Sequence, residues 1–178
     1  MLFPLIKKRR SIRKYKKIEI EKEKIDILLK SALLSPSSRG INPWEFIVVK
    51  DREKLNLLSR SKHGAEFLKN SMLGIVVIAD TKKSDVWIED CSIASTILLL
   101  MAEDLGLGAC WIQIRNRKNS ENREASEYVK SILDIPVHYE VESIISIGYP
   151  DEILAPKDEK DMDFNKLHFE KFNNKYEL

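Results

Sequence analysis

Cysteine is nearly absent from this 178-residue chain: only Cys91 and Cys110 occur, both in strongly apolar stretches, neither with a Cys or His at metal-ligand spacing. That excludes a disulfide-stapled scaffold and a cysteine-rich metal centre. It predicts two buried, reduced thiols in a cytoplasmic protein. Glycine and proline number six each, which excludes collagen-like and low-complexity classes. Long hydrophobic runs are missing too. The longest uncharged apolar stretch, Cys91 to Ala102, has 12 residues, against about 20 needed to span a bilayer. Met1 to Ile6 is too short for a signal peptide. A non-membrane protein is expected. Histidine is scarce: His63, His138 and His168 lie in polar or terminal contexts and read as surface residues. No nucleophile–base pair is recognisable, so no catalytic side chain and no metal ligand is assigned.

What is present describes one globular domain, with 43% hydrophobic and 33% charged residues. The net charge of +2 hides an asymmetry. Residues 1–24 carry ten Lys or Arg against three Glu, whereas the remainder holds 20 positive and 25 negative side chains. A basic amino terminus on an acidic body points to a local anion site or a nucleic-acid arm.

Hydrophobic spacing predicts helices over 2–10, 21–34, 51–61 (capped by Asp51), 85–105 and 120–133. Strands are predicted over 45–49, 75–79, 109–114 and 141–147. Ile97 to Ala102 is apolar all round, so the helix carrying it is expected to be the buried axis. The alternation favours an α+β or α/β sandwich. Residues 1–150 form the domain. Residues 151–178 are a polar extension whose Phe164, Leu167, Phe169 and Phe172 suit wrapping another surface, such as a second subunit.

Three stretches carry chemistry. Lys7 to Tyr15 sets three Arg and a Ser within five residues; Arg forks and a hydroxyl match phosphate oxygens, but a solvated charge run or a nucleic-acid arm fits equally. The loop Pro36–Trp44 offers Ser37, Ser38, a permissive Gly40 and the amide of Asn42, with Trp44 as a core anchor. Gly106-Leu107-Gly108 precedes a strand and lacks a third Gly, so it is no dinucleotide fingerprint.

In chain order, Arg9-Arg10-Ser11-Ile12-Arg13-Lys14-Tyr15 resembles the opening RRSxRxY motif of the FMN-dependent nitroreductase family. Ser35 to Ser38, Pro43 to Phe46, Asp90 to Ala94, Leu105 to Gly108 with Cys110-Trp111, and Ile147 to Pro150 extend the resemblance over residues 3–150. It implies an α+β nitroreductase-like fold with a mainly antiparallel central sheet, and an intertwined homodimer with FMN at the interface. Carried over by position, Arg9, Arg10, Ser11 and Arg13 hold the FMN phosphate and ribityl chain. Pro36, Ser37 and Ser38 line the flavin, from the partner subunit; Asn42 faces the ring edge; Trp111, Ile112 and Gln113 approach the ring.

Gly40 stands where many members have Asn, and Asn42 where Gln is usual. Near the carboxyl end, where many supply a basic residue, this chain offers Lys157 and Lys160. Arg39 is a further candidate for cofactor or substrate contact, and residues 61–73 and 112–124 are candidate lids. The resemblance implies an NADH- or NADPH-dependent oxidoreductase passing electrons through flavin to an acceptor such as a nitroaromatic or quinone, by ping-pong kinetics. A flavin-binding sensor of the same fold and a nucleic-acid module are the competing classes; strands without interleaved exposed aromatics and basics weigh against the latter.

Overall fold

A computed structural model describes residues 1–176; Glu177 and Leu178, the end of the 151–178 extension, lie outside the described residues. Four apolar runs form one antiparallel sheet: β1 (Trp44–Val49), β2 (Leu73–Asp80), β3 (Gly108–Gln113) and β4 (Tyr139–Gly148), in the order β1-β2-β4-β3. The central β2 and β4 are buried almost throughout, which explains their continuous rather than alternating hydrophobicity.

Five helices cover the two faces: α1 (Leu2–Lys8), α2 (Lys22–Leu33), α3 (Arg52–Leu58), α4 (Trp87–Asp104) and α5 (Ala125–Leu133). On one face, Leu28 and Ala32 of α2 and Cys91, Ala94, Leu98 and Ala102 of α4 pack on Ile75, Val77, Ile145 and Ile147. On the other, Leu55, Leu58 and Val129 of α3 and α5 pack on Val76, Ile78, Ile112 and Ile144. Asp51 caps α3 by accepting the amide of Lys54 at 2.8 Å, as expected.

Three expectations are corrected. The amino-terminal helix stops at Lys8, because the chain from Arg9 extends along β3. Helix α5 begins at Ala125, not 120: the Asn119 side chain accepts the amides of Glu121 and Arg123, and Asn122 is left-handed, holding 119–124 as a turn. Helix α4 is not buried all round. Its Ile97, Leu100 and Met101 line an apolar groove of about 360 Å³ with Met1, Leu2 and Leu5, and Ile93 is exposed.

The carboxyl-terminal extension starts as a strap on its own chain. Asp151 N donates to Lys14 O, Lys157 N donates to Lys7 O, and Lys7 pairs with Asp158 at 3.1 Å. Beyond Asp158, Phe164, Leu167, Phe169, Phe172 and Tyr176 are exposed. The same contacts dock the basic amino terminus, which is no free arm: Lys8 pairs with Glu103 at 3.0 Å.

Candidate functional site

Residues 9–15 cross the end of β3 and β4 over two glycines that face each other in register, Gly108 and Gly148. A Cβ on Gly108 would meet Ile12 Cγ2 at 2.7 Å, and one on Gly148 would meet Tyr15 Cδ1 at 2.9 Å. The glycines are there for close approach. Ile12 N then bonds Ala109 O at 3.0 Å, and the Tyr15 hydroxyl bonds Ile12 O and Ser146 Oγ. Extended backbone alternates its side chains, and the basic residues sort accordingly. Burial pushes the Cys110 thiol up, and the charge of Arg13, the Ser11 hydroxyl and the charges of Lys62 and Arg9 oppose it, so all four groups act on this part of β3. Arg13 also lies over the Phe67 ring, 5.7 Å from its centre.

Arg10 is not among them. Its guanidinium bonds the Ala155 carbonyl in a separate cavity shared with Lys8, Glu103 and Glu152. Four convergent groups therefore remain, three of them cationic.

Beside them lies an open strand edge. Ala109 O faces the amino-terminal segment, whereas Ile114 N donates to Glu142 O of β4. Successive peptides alternate sides, so those of Trp111 and Gln113 face away from β4. Among the described residues no other bridge forms on this edge beyond Ser11–Ala109. Ile112 does not share this orientation: its peptide turns to β4 and its side chain is buried in one cluster with Val129 and Ile144. The Trp111 indole donates to Gln113 Oε1 at 2.9 Å. Gln113 Nε2 in turn donates to Arg115 O at 3.2 Å and to Glu142 Oε1 at 3.3 Å.

Glu142 carries no signal in the sequence beyond being the second of two glutamates, after Glu140, in an otherwise uncharged strand. It is only 3% exposed, and its Oε2 has no hydrogen-bond partner. Burial pushes its carboxyl above the ordinary value, with Glu89 adding to the rise and Gln113 and Arg115 opposing it. A raised carboxyl pKa adds stability that is whole below the ordinary 4.5 and lost as pH climbs through the raised value. Glu142→Gln should gain stability relative to the wild type as pH rises over that interval. Denaturant midpoints across pH check this; a difference constant with pH refutes it.

The Pro36–Asn42 loop is built by its own polar atoms. Asn42 N donates to Ser37 Oγ at 2.9 Å, Ser37 Oγ donates to Asn42 Oδ1 at 2.6 Å, and Arg39, Gly40 and Asn42 are all left-handed. The Ser38 amide donates to the buried Asp90 carboxylate at 2.8 Å, tying the loop to the first turn of α4. Arg39 pairs with Asp85 at the surface. Both side chains are largely exposed, so Arg39→Ala should shift stability by under about 1 kcal/mol, read by thermal melting. Segment 7–13 sits at the other end of α4, where Lys8 meets Glu103. From Asp90 to Glu103 the helix rises about 20 Å, and no hydrogen bond or ion pair joins loop and segment among the described residues.

A sequence model of the nitroreductase family matches residues 6–69 and 58–149. The chain belongs to the nitroreductase family. A solved FMN-dependent nitroreductase from Clostridium difficile R20291 is 55% identical, with a TM-score of 0.94, covering 96% of this chain and 99% of that one. A Parabacteroides distasonis structure, provisionally described as an NADH dehydrogenase/NAD(P)H nitroreductase, is 38% identical with a TM-score of 0.88, covering 96% and 98%. A relative from Archaeoglobus fulgidus, provisionally given the same description, is 40% identical over 161 residues, covering 88% of this chain and 86% of its own.

For a nitroreductase, the donor set fits a flavin mononucleotide. Arg9, Arg13, Lys62 and the Ser11 hydroxyl match a phosphate, and the outward peptides of Trp111 and Gln113 match the donors and acceptors of a flavin ring edge. Sequence reasoning missed Lys62, Glu142 and Asp90 as individual residues. Lys62 lay inside a candidate lid, and only its charge marked it. Among the described residues, no helix is long and apolar enough to cross a membrane, and no group of three His, Cys, Asp or Glu is placed to hold a metal ion.

Proposed function

We propose that this nitroreductase is an FMN-dependent NAD(P)H oxidoreductase that passes electrons to an electron-poor acceptor such as a nitroaromatic or quinone. The observation that carries the reading is the basic segment 9–13 laid over Gly108 beside the open edge of β3, with Ser11 bridged to Ala109, Arg13 over the Phe67 ring, and the charges of Arg9 and Lys62 acting on the same Cys110. Arg9 and Arg13 neutralise the FMN phosphate, with Lys62 adding charge and Ser11 a hydroxyl. The peptides of Trp111 and Gln113 fix the ring edge. A bound flavin supplies the two-electron chemistry itself, so the protein needs to bind, orient and tune it. Donor and acceptor take turns in one pocket, which predicts ping-pong kinetics.

The active unit is a homodimer of one-domain subunits, residues 1–150 with the 151–178 extension belonging to the same domain. Pro36, Ser37, Ser38 and Asn42 lie about 20 Å along α4 from the Lys8–Glu103 end, so a second chain is the natural source of these residues at each flavin. Exposed Leu2, Phe3, Ile6 and Ile93 around the α1–α4 groove, with the distal aromatics, supply apolar area for that interface. Free, buried Cys91 and Cys110 suit a reducing cytoplasm. Burial pushes the Cys91 thiol up to about 12, which keeps it unreactive.

The purified protein should show flavin absorbance that bleaches on anaerobic addition of NADH or NADPH, and should sediment as a dimer. Absorbance that persists with both nucleotides refutes the oxidoreductase reading in favour of a flavin-binding sensor. A protein that neither contains nor takes up FMN refutes the site.

A further inference from the structure

We infer that Glu142 couples the charge of the flavin site to a solvent proton: its carboxyl, buried one hydrogen bond behind Gln113, is the group that senses reduction. The inference rests on the flavin reading of that site. Strand β4 has one irregularity, between the pairs Val77–Ser143 and Ile78–Val141, which leaves Glu142 as the extra residue. Without that bulge, Glu142 and Ser143 would point to opposite faces. With it, Ser143 reaches Ser95 of α4 at 3.0 Å while Glu142 turns to Gln113 and raises the nearby Cys91 thiol. Bulges re-aim side chains in this way.

A structural acid would have both oxygens satisfied, since an orphaned buried polar atom costs stability. Here Oε2 is bare. The groups that face the carboxyl are Gln113 and Arg115 beyond β3, and Glu89 and Cys91 of α4. Arg115 is not committed to a carboxylate: it stacks over Trp87 at 5.9 Å and lines a cavity of about 310 Å³ with Glu140. Burial already favours the protonated acid, and only Arg115 and Gln113 restrain it.

Hydride transfer from NAD(P)H would bring two electrons and one proton, a net single negative charge, to a ring edge that this reading sets at the outward peptides of Trp111 and Gln113, with the Gln113 side chain leading from there to Glu142. An ionised Glu142 opposes that charge. When it takes up one proton from solvent in the same step, the charge of the pair is unchanged. The nicotinamide leaves oxidised, the flavin is reduced and the carboxyl ends neutral. Linkage requires the reverse effect: reduction raises the pH at which Glu142 titrates.

The test uses the holoprotein and Glu142→Gln, which keeps shape and an acceptor oxygen for Gln113 while removing the proton site. Midpoint potentials are measured across pH, together with carbon-13 NMR titration of labelled glutamates in both redox states, with Glu142 assigned by its loss in the variant. Expected are a variant potential above the wild type at high pH, convergence at low pH, and a Glu142 titration that moves to higher pH on reduction. Potentials that run parallel or coincide, or a Glu142 titration unmoved by reduction, overturn the inference and leave the flavin reading standing. Should Glu142→Gln not fold, Glu142→Asp supplies the assignment by the same loss of signal, and the wild-type titration in the two redox states decides. A protein that takes up no FMN overturns both, and is recognised by its missing absorbance.

Discussion

Arg13→Ala should weaken FMN binding by roughly 10- to 100-fold, the cost of losing one hydrogen bond between charged groups. Arg9→Ala should act in the same range, whereas Arg10→Ala should leave affinity within a few-fold of the wild type. The three arginines sit within five residues and are indistinguishable by composition. Only Arg9 and Arg13 share their surroundings with Ser11 and Lys62. Arg10 spends its guanidinium on Ala155, clamping the strap that also uses Glu152 Oε1 to accept the amides of Arg13 and Lys14 at 2.6 and 3.1 Å. Its removal should expose residues 151–158 to limited proteolysis instead. Fluorescence titration of flavin-free protein with FMN measures all three variants. The assignment is wrong if Arg10→Ala loses as much affinity as Arg13→Ala. A phosphate site of this kind should also weaken with added salt, because part of its attraction is screened.

Gly108→Ala is the second large effect, and it acts on stability and binding together. The new methyl would lie 2.7 Å from Ile12 Cγ2 and 2.8 Å from Ile12 Cβ. A Cβ cannot swing aside, so residues 11–13 must lift from β3 and stretch the Ile12–Ala109 bond. Overpacking of this kind costs about 1–3 kcal/mol, or a melting shift of roughly 2–4 °C per kcal/mol for a chain of this size. The lifted segment carries Ser11 and Arg13, so FMN affinity should fall with it. Gly74→Ala is the control. Its Cβ would meet Leu55 Cδ2 at 3.1 Å, the end of a flexible side chain, and none of the three atoms nearest it belongs to the segment 9–15. Melting curves with and without FMN separate the two losses. A Gly108→Ala protein with wild-type melting and wild-type affinity would show that the segment does not depend on this close approach.

Much of the site was legible because its chemistry is local. The cluster from Arg9 to Tyr15, the Pro36–Trp44 loop and the Gly-Leu-Gly turn each announce themselves by residue types within nine positions. Long apolar runs marked β2, β4 and α4 within a few residues of their ends. Illegible were the facts that depend on direction. Ile112 sits between two site residues in sequence, yet strand alternation sends it to the opposite core. Arg10 sits between Arg9 and Ser11, yet the extended backbone turns it to the strap. The 151–178 extension read as a wrap for another surface because it is too polar for a core of its own yet carries Phe164, Leu167, Phe169 and Phe172; main-chain bonds, which leave no mark in side-chain composition, lay its opening residues on the same chain.

The sequence by itself determined the alternation of helices and strands, the basic cluster, and through its ordered motifs the family. Hydrophobic period and motif spacing are properties of neighbours along a chain, and they survive without a fold. Tertiary structure decided that Arg10 turns to Ala155 while Arg9 and Arg13 act on Cys110, and why Gly108 and Gly148 carry no side chain. It also decided that Glu142, one of two glutamates in β4, stands behind Gln113. Each of these depends on strand register, and a single-residue bulge in β4 was enough to set the last.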